Sequence, residues 1–448
     1  MNCLRHLLYF ALLATARGQY TPDWDSLDSR PLPQWYDDAK VGIFIHWGVF
    51  SVPSYGLEWF WYHWENGFST FVNFMERNYR PNFTYPDFAA QFTAEFYDPH
   101  QWAELFKASG AKYVVLTSKH HEGFCNWPSK NSWPWTSMQL GAKRDLVGEL
   151  AQAVKEYGPE LRFGLYHSLF EWFNPLFQDD QKNSYETNDF VTRKTMPELY
   201  DLVTAYEPEI IWSDGDAGPD WYWNSTVFIS WLFNESPVKD SVVVNDRWGW
   251  GCPGNHGSYY TVQDRYNPGI LQNHKWENAF TLDYISWGYR REARVFSYLP
   301  IEEVLYQLVS TVSCGGNILV NVGPTHDGII PPIMEERLRQ LGEWLAINGE
   351  GVYGSRPWLH QNDTLTSGVW YTSKNDKTYA FVLNWPEDTS VTLGAVEATP
   401  DTKVNMLGYV GELEFTIQDL GMEVIFPKMS RVKSQWAWVL EMTAVNAA

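Results

Sequence analysis

The sequence predicts an irregular (β/α)8-like barrel, an α/β fold, followed by a C-terminal antiparallel β-sandwich. Three observations carry that reading: short apolar runs that stop at residues able to do chemistry, segments of helical period between them, and a change to alternating period near residue 350. The apolar runs occupy residues 41–46, 113–121, 162–167, 209–214 and 242–247. Strands buried on both faces with polar tips are what a parallel barrel produces, because its active site collects at the C-terminal strand ends.

In chain order, Arg5 and His6 precede an apolar stretch over 7–13 and then Ala14-Thr15-Ala16, the pattern of a signal peptide over residues 1–18. That stretch is too short to span a bilayer, and no later segment is longer and equally apolar, so a soluble mature protein without a membrane span is expected. Four Asn-x-Ser/Thr triplets, at Asn82, Asn224, Asn234 and Asn362, agree with the secretory pathway. Cys125, Cys252 and Cys314 permit at most one internal disulfide, so disulfides do not organise the fold.

The barrel is expected over residues 19–350. Its strands alternate with helical faces formed by Trp102, Leu105 and Phe106, by Leu146, Leu150, Val154 and Tyr157, and by Leu305, Leu308, Val309 and Val312. The last unit reads as a strand over 316–322 and a helix from about 331 to 347. Not all of eight strands are distinct. Beyond Gly349, Gly351, Gly354 and Pro357, alternation at Val369 and Tyr371, then at Tyr379, Phe381 and Leu383, predicts a separate β-sandwich over 351–448, with a last strand bearing Trp436, Trp438 and Leu440.

A chain of 448 residues with a net charge of −21 lacks the clustered Lys and Arg that nucleic acid or an anionic membrane requires. Its 17% aromatic content, with 25 Trp, suits a carbohydrate ligand, whose C–H faces stack on indole while its hydroxyls bond polar side chains.

Asp214 ends the Ile210-Ile211-Trp212-Ser213 strand, and Gly215 lets the chain turn at once. The competing reading is an aspartate that caps the next turn. Asp264 and Glu277 are carboxylates that can partner it, and paired carboxylates among Trp and Tyr at a barrel mouth specify glycoside hydrolysis. Spacing leaves inverting and retaining chemistry both open. His120-His121 beside Glu122 looks like a metal pair, but neighbours on a strand point to opposite faces, so sugar-hydroxyl binding is preferred and no metal or other cofactor is expected. His46 sits at the first strand tip and Arg247 at another; a satisfied core histidine and a structural ion pair are their plainer readings. Glu58 and Trp59 fall on the loop after the first strand, where a solvated charge and a packing ring compete with ligand contact.

The run YTPDWDSLDSRPLPQWYDDAKVGIFIHWGVFSVPSYGLEWFW resembles animal α-L-fucosidases of glycoside hydrolase family 29, as do KYVVLTSKHHEGFCNWPS, TMPELYDLV, IIWSDG, VVVNDRWG, HKWEN and SWGYRRE. The resemblance covers nearly the whole mature chain. It implies a retaining, metal-independent exo-α-L-fucosidase, lysosomal or secreted, that acts on fucosylated glycans, in a family where homo-oligomers are common. Residue by residue it implies Asp214 as nucleophile and a fucose-binding shell of His46, Glu58, Trp59, His120, His121, Tyr166 and Arg247, with Trp287 as an apolar wall. The acid/base position varies within the family; Asp264 is preferred, because residues 259–262 should carry it to a strand tip, and Glu277 is the alternative. Many animal members carry cysteine where this chain has Ala279. A fucose-binding lectin-like protein would instead predict damage among the carboxylates, and all three are intact; a different exo-glycosidase on the same barrel is the other alternative.

Overall fold

A computed structural model describes residues 19–448; the expected signal peptide, 1–18, lies outside the described residues. Seven parallel strands form one sheet: β1 (Val41–Ile45), β2 (Tyr113–Lys119), β3 (Arg162–Ser168), β4 (Ile210–Asp214), β5 (Val243–Val244), β6 (Trp276–Thr281) and β7 (Gly316–Val322). Their order is β5-β4-β3-β2-β1-β7-β6, so the chain winds steadily around a curled sheet whose edges are β5 and β6. A few residues bridge those edges. Ser258 N–H donates to the Val244 carbonyl at 2.9 Å, Tyr260 N–H to Lys275 at 2.9 Å, and Glu277 N–H to Tyr260 at 2.9 Å. This segment does the work of an eighth strand, and Val262, at φ 54°, ends it at once. Its brevity explains why eight clean apolar runs cannot be counted in the sequence.

The helices Pro99–Ala108, Leu146–Glu156, Met196–Tyr206, Ser225–Asn234, Ile301–Ser313 and Pro332–Asn348 follow β1, β2, β3, β4, β6 and β7 in turn. Two of them begin where a carboxylate satisfies free helix N–H groups: Asp98 accepts from His100 and Gln101, and Asp145 accepts from Gly148. The expected apolar faces are the buried ones, with Trp102, Leu105, Phe106, Leu150, Val154, Leu308 and Val312 all inside.

Strand parity divides the barrel core. Ile43, Ile45, Val114, Leu116, Leu165, Ile318 and Val320 point outward into the helical layer. Phe44, Tyr113, Val115, Tyr166, Ile210, Trp212, Ala279 and Leu319 point inward and form a compact aromatic interior with Tyr36 and Tyr259. Asp214 has the parity of Ile210 and Trp212 but stands at the C-terminal end of β4, so its side chain emerges at the barrel mouth.

Eight antiparallel strands complete the chain. A five-stranded sheet runs β12-β15-β10-β9-β8, from β8 (Arg356–Asn362), β9 (Val369–Lys374), β10 (Lys377–Val382), β12 (Val396–Met406) and β15 (Trp438–Ala447). A three-stranded sheet runs β11-β14-β13, from β11 (Ser390–Leu393), β13 (Phe415–Ile417) and β14 (Met422–Ile425). Val382, Val404 and Leu440 of the first sheet meet Leu393, Met422 and Val424 of the second in one core. The other face of the larger sheet, through Trp370, Tyr379 and Phe381, joins the barrel's own apolar cluster. Trp344 Nε1 on the last barrel helix donates to the Ala437 carbonyl at 2.9 Å. Trp436 departs from the expected alternation: at φ 64° it precedes β15 and packs on the barrel side, while Trp438 joins the sandwich core.

Cys125, Cys252 and Cys314 are buried free thiols. Among the described residues, no helix is long and apolar enough to cross a membrane.

Candidate active site

A cavity of about 480 Å³ opens at the C-terminal ends of the barrel strands. Its wall brings together His46, Glu58, Trp59, His120, His121, Tyr166, Asp214, Arg247, Asp264 and Trp287, from eight separate places in the sequence. Glu277 is not among them.

Asp214 is the most constrained group in this wall. Its Oδ2 accepts from the Tyr166 hydroxyl at 2.7 Å, its Oδ1 accepts from Arg247 Nη1 at 3.1 Å, and His121 Nε2 lies 3.5 Å from Oδ2. Burial works against a charge here, but Arg247, His121, the Tyr166 hydroxyl and the Gly215 N–H outweigh it and hold the carboxyl well below the usual carboxylate range. An anionic oxygen is therefore kept in a largely dry site. The turn that frees Asp214 from the sheet needs Gly215, which sits at φ 64° with Ser168 Oγ only 2.8 Å from where a Cβ would be.

Arg247 ties two carboxylates together. While Nη1 holds Asp214, Nη2 donates to Asp264 Oδ1 at 2.7 Å, Nε donates to Thr261 Oγ1 at 3.1 Å, and the guanidinium lies 4.6 Å above the Trp212 ring. Asp264, on the loop after the bridging segment, keeps 47% of its side chain exposed, against 21% for Asp214. One carboxylate is screened and charged; the other is open to solvent.

His46 Nδ1 lies 2.8 Å from Asn321 Oδ1, whose amide nitrogen is occupied with Thr281 and Trp287. Nδ1–H is therefore the donor, and Nε2 is left as an acceptor; burial beside His120 holds this imidazole neutral, with a pKa lowered to about 3. His120 and His121 do not point to opposite faces as expected. β2 ends at Lys119, and in the turn that follows both rings face the cavity with centroids 4.1 Å apart. His120 Nδ1 meets Glu122 at 3.1 Å and His121 Nδ1 meets Ser168 at 2.7 Å. Glu58 Oε2 accepts from Ser286 Oγ and Trp287 N–H, both at 2.9 Å, and so holds the loop that carries Trp287. Trp59 immediately precedes the short helix Phe60–Glu65 and packs edge-on against His121 at 5.4 Å.

Glu277 must be read differently from its alternative role as acid/base. It is the second residue of β6 and faces inward at the lower, N-terminal level of the barrel, where it is fully buried. Oε2 accepts from Tyr36 at 2.8 Å and Tyr113 at 2.6 Å, and Oε1 accepts from Trp212 Nε1 at 3.0 Å. Burial raises its carboxyl, and it is not among the residues that line the active-site cavity. It anchors Trp212 from below.

Other residues shape the site without a signal in the sequence. Buried Asp246 accepts from Thr261 N–H and Oγ1 through Oδ1, and from Gly254 and Val262 N–H through Oδ2. This one carboxylate folds the loop that presents both Thr261, the rest for Arg247, and Asp264. Behind the histidine turn, Lys119 bonds Glu171 and Glu198, each at 3.0 Å, and Lys194 bonds the same two, at 3.1 and 2.7 Å. Lys194 is brought inward by a π-helical turn, Val191–Thr195. Asp216 also lines the cavity; it lies two residues past Asp214, where position alone does not set it apart. Among the described residues, no group of three or more His, Cys, Asp or Glu is placed to hold a metal ion.

A sequence model described as alpha-L-fucosidase matches residues 8–350, and one described as alpha-L-fucosidase C-terminal domain matches 361–443. The chain is 57% identical over 445 residues to an alpha-L-fucosidase of Branchiostoma floridae, covering 98% of this chain and 99% of that one. It is 54% identical to the tissue alpha-L-fucosidase of Homo sapiens, covering 96% and 92%. Its fold is similar to the crystal structure of Thermotoga maritima alpha-fucosidase in complex with fucose, with a TM-score of 0.83 at 33% identity, over 95% of this chain and 100% of that one.

Proposed function

The chain belongs to the α-L-fucosidase family, and from that premise we propose that Asp214 is the nucleophile and Asp264 the acid/base of a retaining exo-α-L-fucosidase, a glycoside hydrolase that removes terminal α-L-fucose from glycoproteins and glycolipids. The observation that carries the role assignment is the contrast between the two carboxylates on one guanidinium: Asp214 is enclosed and held ionised, and Asp264 stands beside it open to solvent.

In the first step an Asp214 oxygen attacks the anomeric carbon while Asp264 gives its proton to the departing glycosidic oxygen. In the second, Asp264 takes a proton from water, which displaces Asp214 from the same carbon. Two inversions leave the configuration retained. His46 Nε2, His120, His121 and Glu58 are assigned to the sugar hydroxyls, and Phe44 and Trp287 to the methyl group that distinguishes fucose. Glu277 is assigned a structural part.

The test is Asp214→Gly. With folding intact it should lose roughly 10^4-fold or more in turnover, the scale on which removal of a catalytic nucleophile acts. Azide should restore cleavage of an activated fucoside and yield the β-fucosyl azide, because only one inversion remains. Near-normal turnover would refute the assignment. We further infer an apparent division into a catalytic barrel, 19–350, and a sandwich, 351–448, and passage through the secretory pathway to lysosomes or the exterior; homo-oligomerisation is part of the same reading.

A further inference from the structure

The cavity extends past the groups given to fucose, to a lip made by two loops that the mechanism above leaves unused. Asp216 and Ala217 come from the loop after β4; Trp250, Gly251 and Pro253 come from the loop after β5. These loops are joined: Trp250 N–H donates to the Gly218 carbonyl at 2.8 Å, and Pro219 and Trp250 form an isolated parallel bridge. Trp250 is presented between Gly249 at φ 135° and Gly251 at φ 84°, and a Cβ on Gly249 would come within 2.5 Å of the Asp220 backbone. Its indole meets buried Tyr185 in a T-shaped contact, with ring centroids 5.6 Å apart, yet 62% of the residue remains exposed. A large ring held on a fixed backbone and mostly exposed is costly to leave in water and well suited to stacking.

We propose that Trp250 and Asp216 form the acceptor subsite, in which the neutral pyranose that carries the fucose stacks on the Trp250 indole and bonds a hydroxyl to Asp216. A sugar seated there places its glycosidic oxygen between Asp214 and Asp264, which line the same opening. The acidic lip disfavours an anionic acceptor: Asp216 and Asp264 lie on it, and Arg247, the one Lys or Arg among the described residues that line the cavity, is already engaged by two carboxylates. Burial next to Asp214, partly offset by Arg247 and the Gly249 N–H, pushes the Asp216 carboxyl up to about 6, so this group accepts a hydroxyl hydrogen bond in either protonation state.

This subsite rests on the fucosidase reading, and the experiment separates the two. For the parent enzyme, Trp250→Ala, Trp250→Phe and Asp216→Asn, kcat/KM is measured on α-fucosyl fluoride, whose leaving group is too small to reach the lip, and on a disaccharide of fucose linked to a neutral hexopyranose. Expected is a fall in the disaccharide-to-fluoride ratio of about 5- to 10-fold for Trp250→Ala, the range of one lost aromatic contact, a several-fold fall for Asp216→Asn, and recovery of most of the ratio in Trp250→Phe. A ratio within twofold of the parent in both Trp250→Ala and Asp216→Asn overturns the subsite. Should Trp250→Ala fail to fold, Trp250→Leu replaces it. Parent enzyme inactive on both substrates would overturn the fucosidase reading instead.

Discussion

Arg247→Met tests the electrostatic design of the site. In the parent, burial alone would raise the Asp214 carboxyl, and the strongest opposing influence is the Arg247 guanidinium at 3.1 Å. An opposite charge at such a distance lowers a carboxyl pKa by about 1 to 3 units, so its loss should raise Asp214 by that amount. In a pH profile of kcat/KM on an aryl fucoside, the acid limb should therefore move up by about 1 to 3 pH units. Stability moves in the same sense. A carboxyl depressed in the fold adds stability above its unfolded value of 3.8 and loses it as pH falls through the folded value. Without Arg247 that contribution disappears at neutral pH, and breaking a buried pair by removing one partner costs about 3 to 5 kcal/mol. Because 21% of Asp214 remains exposed, about 2 to 3 kcal/mol is the better expectation. Arg247→Lys should shift the limb less, since it keeps the charge and loses the fork that reaches Asp264. If kcat/KM falls evenly at every pH while the acid limb stays in place, Arg247 only binds substrate and this reasoning is wrong.

The two candidate acids separate by leaving group. Asp264→Asn should lower kcat/KM on a natural glycan by roughly 10^2- to 10^4-fold and leave an activated aryl fucoside far less affected, whereas Glu277→Gln should impair both substrates alike and lower the melting temperature, because it disturbs Trp212; the reverse pattern exchanges their roles. Asp246→Ala removes the acceptor of three backbone N–H groups, at about 1 to 3 kcal/mol for each left unsatisfied, so calorimetry should record a clear loss of stability together with a raised KM; an unchanged melting curve would contradict its role in folding the loop. Glycosite mapping of protein secreted from an animal cell should find carbohydrate on exposed Asn82 and Asn362 and none on Asn234, whose side chain is committed to the Tyr20 and Ser230 backbone; an occupied Asn234 contradicts that packing.

The barrel was legible because apolar strands and amphipathic helices follow different periods, and Asp214 was legible because its strand is apolar up to the tip. Glu277 was harder to place. Its neighbours resemble a strand end, but β6 starts one residue earlier, and a strand's direction and starting level are what separate the mouth of a barrel from its floor. The histidine pair departs from strand alternation for a related reason: alternation holds only while the strand lasts, and β2 stops at Lys119, so both rings reach the cavity. Asp246 and Asp216 leave no local trace. Their roles arise from N–H groups and charges that other loops bring to them, as Gly254, Thr261 and Val262 do for Asp246. No periodicity records such contacts.

The central claim is a covalent bond between Asp214 and the anomeric carbon, and trapping that bond tests it most directly. Treating the enzyme with a slowly turned-over fluorinated fucosyl fluoride, then digesting it and sequencing the labelled peptide by mass spectrometry, should find one fucosyl adduct on the IIWSDG peptide, at Asp214. An adduct on Asp264 or Glu277, or inactivation with no adduct anywhere, would contradict the account.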